Sequence, residues 1–400
     1  MSGDKMNKIL EGIRVIDLSQ AYSGPFAAMQ LADHGAEVIK VEPPAGEQTR
    51  GWRPQRSGHS AYYAYFNRNK KGIALDLKTE EGRQILTKLI ASSDVVIENF
   101  KAGTFARLGF TYEKLKEIKP DIIYAQITGF GTSGPMSNRP AYDLVAQAES
   151  GIMSLNGYTG NDPVRLGGNP GDGIAGLYLT SGIAMALYHR AMTGEGCHID
   201  VAMLDALFSM TESAPLEYEV ADNLMGREGN RGSANAPWGE FRAKDGLFVI
   251  SCGTTELWRK CAHELELYDM ENDPAYDTNT KRVAAVDYIE ERVREAAKKW
   301  TVAELEEKMV AAGVPFGRVN NIAEAMELPQ LKHRNMLWTV YEPGMKSDLT
   351  TPGNPVKIDL EEDGPVKASP VLGENTEELL REIGFDEKGI ALLRQKGVVR

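Results

Sequence analysis

Across the first half of the chain, short apolar runs alternate with longer amphipathic stretches, the pattern of strand followed by helix. Residues 13–18 predict a strand, 26–34 a helix stopped by Gly35, and 36–41 a second strand closed by Pro43-Pro44. Further strands are predicted at 73–77, 95–97 and 122–127, with a helix over 80–91. Strands that are apolar along both faces and separated by helices imply a parallel sheet covered on both sides. The expected class is therefore α/β, with a Rossmann-like large domain.

Downstream, residues 173–192 form one long pattern of small and apolar residues, including Gly176, Gly182, Ala184 and Ala186. Such density predicts a buried helix, stopped at Thr193-Gly194-Glu195-Gly196. A strand at 197–201 and a helix over 203–221 are expected next. A polar, glycine-rich linker with Gly226, Gly229 and Gly232 then leads to a hairpin and three amphipathic helices, the outline of a small α+β domain. After residue 328, strand patterns return and two helices close the chain. The expected organisation is a discontinuous large domain, 1–222 with 329–400, and a small domain with its linker, 223–328.

Composition narrows the function classes. Four hundred residues exceed one ordinary core, and 42% hydrophobic with 26% charged residues is a globular mixture. No apolar run approaches the roughly 20 residues that span a bilayer. The stretch from Met1 to Lys8 leads directly into a strand pattern without a signal-like apolar region. Cys197, Cys252 and Cys261 are too few and scattered for a disulfide framework. Together these features predict a cytoplasmic protein. A net charge of −12 argues against general binding to nucleic acid or anionic membrane. One basic run, Arg68-Asn69-Lys70-Lys71, with Arg50, Arg53 and Arg56 upstream, reads either as a solvated loop or as a site for an anionic cofactor.

Several chemistries lack their motifs. The first strand is followed by Ser19-Gln20-Ala21-Tyr22-Ser23-Gly24-Pro25, not a dinucleotide fingerprint, and no phosphate-binding loop or nucleophile elbow is present. The six histidines have no metal-ligand spacing, so no metal is expected.

The densest cluster of unusual residues lies between 127 and 176. Thr128-Gly129-Phe130-Gly131 follows a strand directly, where α/β proteins bind ligands. Pro140-Ala141-Tyr142-Asp143 opens a helix, and Leu166-Gly167-Gly168-Asn169-Pro170-Gly171-Asp172-Gly173 delivers an aspartate to the start of the long helix. Asp172 can cap that helix. The same place suits a nucleophile: helix N–H groups favour the carboxylate, glycines admit a bulky acyl group, and a carboxylate attacks a thioester to give a mixed anhydride. Backbone N–H groups of the glycine turns could hold the oxyanion.

These stretches resemble the class III CoA-transferases, the CaiB/BaiF family. The resemblance runs through Leu10-Glu11-Gly12-Ile13-Arg14-Val15, Ser23-Gly24-Pro25, residues 35–42, residues 92–100, Gly129-Phe130-Gly131, Ala141-Tyr142-Asp143, Gln147-Ala148, Gly171-Asp172 and residues 193–196. It implies that Asp172 is the family's nucleophilic aspartate, flanked by Gly171 and Gly173. It also implies coenzyme A contacts from Asn99, Phe100 and Lys101, an adenine-lining segment from Leu75 to Lys78, and a basic phosphate contact at Arg107. Tyr22 and Ser23 fall where the family's first loop meets the pantetheine and acyl group, Tyr142 falls beside the thioester, and Gly129 of the glycine-rich loop is a further candidate for substrate or CoA contact. Some members place an arginine after the second strand where this chain has Pro43-Pro44; Arg68 or Lys71 are the candidates to replace it. The family architecture is a homodimer of two interlocked chains. Coenzyme A is then a cosubstrate, with no tightly bound cofactor, and the partners are an acyl-CoA and a small carboxylic acid.

Two rivals remain. The fold also hosts α-methylacyl-CoA racemases, which deprotonate the α-carbon with a His and Asp pair and carry Gly-His-Asp where this chain has Ala141-Tyr142-Asp143; a tyrosine with an ordinary pKa of about 10 is a poor carbon base. A non-catalytic acyl-CoA-binding protein is the other. The acids exchanged stay open, although the lack of a glycine run after Trp238 favours an acyl group larger than formyl or oxalyl.

Overall fold

The computed structural model describes residues 8–361, 364 and 367–400. The reading of the amino terminus as leader-free rests on residues 1–7, outside those described. The chain divides into two compact units, one of Met1–Met153, Arg165–Pro215 and Pro329–Arg400, the other of Ser154–Val164 and Leu216–Leu328. Ser154–Val164, counted above with the large domain, groups with the smaller unit. The reason is local: Thr159 donates to the Arg227 carbonyl at 2.6 Å, the Gly229 N–H to the Gly157 carbonyl at 2.8 Å, and Arg227 to Asn161 at 3.1 Å.

The large unit is built on six strands: β1 Arg14–Asp17, β2 Glu37–Glu42, β3 Lys71–Ala74, β4 Val95–Glu98, β5 Ile123–Thr128 and β6 His198–Ala202. All pair in parallel, in the order β3-β2-β1-β4-β5-β6. Successive side chains point to opposite faces, so each strand feeds two cores. Val15, Val38, Val95 and Ile123 face one core, together with Ala28 and Leu31 of helix α1 (Ser23–Asp33). Ile16, Ile39, Val96 and Tyr124 face the other, with Ile85 and Leu89 of helix α2 (Glu80–Ala91) and the carboxy-terminal helices. Both faces are covered, as an all-parallel sheet requires. β3 begins and ends earlier than expected, because Leu75 and Asp76 turn to the chain end: Leu75 bridges Val399 and the Asp76 N–H donates to Val398 at 2.8 Å.

Helix α3 (Asp143–Glu149) and helix α4 (Pro170–Thr193) complete the side that bears the site. The expectation that α4 is buried holds for one stripe only. Ala175, Leu179, Ile183 and Ala186 pack inward at helical spacing, whereas Leu177, Met185, Tyr188 and Met192 are exposed. Small residues let α4 lie close to α1 on the inner stripe, where Gly176 meets Ser23 and Phe26, and the apolar outer stripe finds no cover among the described residues. The helix expected over 203–221 also breaks. Ser209 and Thr211 hydroxyls turn back on the Ala206 and Phe208 carbonyls, and Glu212 adopts a left-handed φ of 54°.

The smaller unit is α+β. Trp238–Arg242, Leu247–Ser251 and Phe316–Arg318 form an antiparallel sheet with the second strand central. Helices Thr255–Glu264, Val286–Ala297 and Val302–Ala312 bury Trp258, Ile289 and Leu305 against it. Among the described residues, no helix is long and apolar enough to cross a membrane.

Candidate active site

The strand order reverses between β1 and β4, and a crevice opens there at the carboxyl ends of the strands. A cleft of about 340 Å³ occupies this place. Its walls are the segments after β1 (Gln20, Ala21, Ser23), after β4 (Asn99 to Ala102) and after β5 (Thr128, Gly129), together with Tyr142 and Asp172.

Asn99 fixes the first wall. Its side-chain amide brackets one residue, accepting the Gln20 N–H and donating to the Gln20 carbonyl, both at 2.7 Å. That clamp holds the neighbouring Ala21 at a φ of 65°, a conformation few alanines adopt. Asn99 also donates to the Ser23 hydroxyl at 3.3 Å. Beneath it, the buried Glu98 carboxylate accepts the Phe100 N–H at 2.5 Å and the Tyr124 hydroxyl at 2.9 Å, so the turn carrying Asn99 and Phe100 is anchored from the core. Burial holds the Glu98 carboxyl above its ordinary pKa.

Asp172 stands in the first turn of α4 but does not cap it. Asp143, at the start of α3, does: its Oδ1 accepts the Gly171 N–H at 2.7 Å and the Asp172 N–H at 3.4 Å. Its Oδ2 accepts from Gln147 at 2.5 Å, and Gln147 accepts the Leu166 N–H at 2.8 Å, locking the glycine turn to α3. Any side chain on Gly171 would collide with this arrangement, its Cβ lying 2.8 Å from Asp143 Oδ1 and 2.9 Å from Leu207. The Cβ of a residue at 173 would come within 3.0 Å of the Tyr22 hydroxyl.

With capping assigned to Asp143, the Asp172 carboxylate faces the cleft. Its partners are the Ser23 side chain and backbone, and no lysine or arginine pairs with it among the described residues. Burial, then the Asp143 charge, push its pKa up to about 7, and the Ser23 hydrogen bonds only partly offset them. The same crowding raises Tyr22 to about 12, with burial first, then Tyr65, Asp172 and Asp143. A partly desolvated carboxylate without a counter-ion, beside a cleft, is poised for nucleophilic or proton-transfer chemistry.

The structure brings Ser23, Asn99, Phe100, Lys101, Gly129, Tyr142 and Asp172 to one cleft, with Tyr22, Gly171 and Gly173 directly behind. Other sequence candidates lie elsewhere. Arg68 is fully buried and holds Asp33 through two bonds of 3.0 and 2.7 Å. Lys71 sits at the amino-terminal end of β3, paired with Glu37 and Glu378 at 2.7 Å each. Both are thus paired with carboxylates of neighbouring elements, and neither lines the cleft. Leu75 is a core residue, and Lys78 and Arg107 are exposed outside the cleft, Arg107 donating to Thr104 at 2.8 Å. Gln20, Gln48, Arg139 and Met203 also line the cleft without having been singled out. Arg139 had a signal, standing directly before Pro140-Ala141-Tyr142-Asp143; Gln48 had none. Among the described residues no cluster of His, Cys, Asp or Glu could hold a metal ion.

A doubly wound sheet with an unpaired carboxylate at its switch point defines a ligand-handling α/β protein. The chain belongs to CoA-transferase family III, whose model matches residues 10–376. It is 39% identical to acetyl-CoA:oxalate CoA-transferase of Acetobacter aceti, over 87% of this chain and 88% of that one. It is 35% identical to human succinyl-CoA:glutarate CoA-transferase, over 98% and 91%. A solved CaiB/BaiF family protein from Brucella suis superposes with a TM-score of 0.84 at 34% identity, covering 94% of this chain and all of that one. CoA transfer is the activity that this membership supports, with coenzyme A as cosubstrate.

Proposed function

We propose that the chain transfers coenzyme A from an acyl-CoA donor to a small dicarboxylic acid, with Asp172 as the covalent nucleophile. The observation that carries this reading is the Asp172 carboxylate, relieved of capping by Asp143, unpaired by any cation among the described residues and open to the cleft. An Asp172 oxygen attacks the donor thioester carbon, and the tetrahedral intermediate expels the CoA thiolate to leave a mixed anhydride. The thiolate attacks the aspartyl carbonyl and releases the donor acid, giving an aspartyl-CoA thioester. The acceptor carboxylate attacks that thioester, forming a second anhydride and freeing the thiolate again. Attack of the thiolate on the acceptor's acyl carbon yields the new acyl-CoA and restores Asp172. No net proton is consumed. Asn99, Phe100 and Lys101 line the path for the CoA arm, Ser23 orients the Asp172 carboxylate, and Tyr142, 75% exposed at the cleft, packs against the acyl group.

The relatives' names support a dicarboxylate acceptor, since they pair acetyl-CoA with oxalate and succinyl-CoA with glutarate or mesaconate. An interlocked homodimer accords with the exposed apolar stripe of α4, which a second chain would cover. An isomerase would need a carbon base at position 142, where this chain has a tyrosine, whose ordinary pKa of about 10 suits it poorly to that task.

Trapping with hydroxylamine tests the covalent step. Protein incubated with acyl-CoA and hydroxylamine should acquire a hydroxamate at Asp172, seen by peptide mass spectrometry, and only when acyl-CoA is present. Rapid transfer without modification of Asp172 would sink the covalent reading.

A further inference from the structure

We infer that Arg139 is the residue that receives the second, unreacting carboxylate of a dicarboxylic acid in this cleft. The inference rests on the CoA-transfer reading and adds to it a specificity residue. Of the side chains lining the cleft, two are cationic, Lys101 and Arg139. They stand on different walls. Lys101 follows Asn99 and Phe100 after β4, while Arg139 belongs to the segment leading into Pro140, Ala141 and Tyr142.

Arg139 is held in place before any ligand arrives. Its guanidinium lies 5.0 Å from the centroid of the Phe130 ring, itself part of the glycine-rich loop after β5. One terminal nitrogen pairs with Glu149 at the end of α3. The remaining N–H groups have no partner among the described residues. The pair is open to water, with 47% of the arginine and 39% of the glutamate side chain exposed, so it contributes little stability to lose. A planar fork with free donors, restrained by an aromatic face, matches a carboxylate in two-point geometry.

Chemistry supplies the need for such a group. Each turnover brings a free acid to Asp172, and one of its carboxylates must shed water to attack. A second carboxylate entering the same partly desolvated cleft in a chain of net charge −12 needs a cation of its own. With Lys101 on the wall of the CoA arm, Arg139 is the cation that remains on the acyl side.

The test compares acceptors of equal length. Purified enzyme and the R139Q variant are given acetyl-CoA or succinyl-CoA as donor and either glutarate or valerate as acceptor. The wild type should prefer glutarate. R139Q should raise the KM for glutarate about 10- to 100-fold, the worth of a charge-assisted hydrogen bond, while kcat and the KM for valerate change less than about twofold. R139K should recover part of the loss. Equal preference for the two acids in the wild type, or an equal change for both in R139Q, would overturn the assignment. A rise confined to the KM for the acyl-CoA donor would overturn it too and give Arg139 to the CoA phosphates. Failure of the wild type to transfer to either acid from either donor would overturn the CoA-transfer reading itself, and Arg139 with it.

Discussion

Two aspartates on neighbouring helices show how differently one side chain can be used. Asp33 ends α1 and Asp172 begins α4. Asp33 is buried and saturated: Arg68 meets both of its oxygens, Asn69 donates to Oδ1 at 2.8 Å and Asn354 to Oδ2 at 3.3 Å. Asp172 has two donors from Ser23 and, among the described residues, no cation. The difference extends to their surroundings. Around Asp33 and the first strands, charges are buried in matched sets: Lys70 holds Asp17 at 2.8 Å, Lys40 holds Glu47 at 3.0 Å, and Arg50 clasps Glu42 with two bonds of 2.7 Å. Around Asp172 the charges are unmatched, and Asp143 adds a second negative group. A satisfied buried charge braces the fold, while an unsatisfied one keeps free energy in hand for a ligand.

The largest effect should come from removing the unsatisfied member. Asp172→Ala should fold as the wild type does, by far-UV circular dichroism and a melting temperature no lower, yet lose transfer by at least about 10⁴-fold if Asp172 forms the proposed anhydride. Retention of more than about a tenth of the activity would put both aspartates in the same, structural, class.

Removing the partner of the satisfied member should do the reverse. Arg68→Met leaves a buried carboxylate without its cation and should cost about 3–5 kcal/mol in urea unfolding. The enzyme that remains folded at low temperature should keep its KM for acyl-CoA within about threefold. A KM raised tenfold with little change in stability would return Arg68 to the ligand side of the comparison.

Sequence patterns spoke to these two regions unequally. Strand positions and the bounds of α2 were legible because apolar periodicity is imposed locally by burial, and the glycine turn at 166–173 announced itself. Partnership was not legible. Arg68-Asn69-Lys70-Lys71 looks like an anion site as a run of letters, yet Arg68, Lys70 and Lys71 each find a carboxylate 34 or more positions away along the chain. Asp172 had the opposite ambiguity, a helix-start aspartate whose capping role is taken by Asp143 across 28 and 29 positions. The resemblance to the transferase family, not spacing, singled out Asp172. The exposed stripe of α4 was misjudged because composition reports how apolar a helix is, not how many of its faces find cover.

A smaller effect, with a definite sign, comes from the proton. The Asp172 pKa lies near 7 in the folded chain and near 4 when unfolded, so the folded state binds the extra proton between those values. Stability from this group is full below about pH 4 and is lost as pH rises through about 7. Asp172→Asn, which has no charge to desolvate, should be more stable than the wild type at pH 8, by on the order of 2 kcal/mol after allowing for partial solvent contact. The gain should shrink to nothing near pH 4. A variant less stable at pH 8 would mean that the carboxylate is better satisfied than its visible partners suggest.

The smallest effect separates the two causes of that raised pKa. Burial is the larger and the Asp143 charge the next, so Asp143→Asn should lower the Asp172 pKa only in part. Asparagine keeps an Oδ1 acceptor for the Gly171 N–H and removes the charge, at the cost of the Gln147 hydrogen bond to Oδ2. On the proposed mechanism the ionised carboxylate attacks, so wild-type kcat/KM should fall as pH drops below about 7, and the limb reports the free enzyme. In Asp143→Asn the limb should move to lower pH by roughly half a unit to one unit, which raises activity relative to wild type several-fold at pH 6 and leaves it nearly unchanged at pH 8. Melting temperature measured alongside distinguishes this from damage to the cap, which would depress activity at every pH. A limb that stays in place would show that desolvation alone sets Asp172, and that the contrast with Asp33 is one of solvent access and not of neighbouring charge.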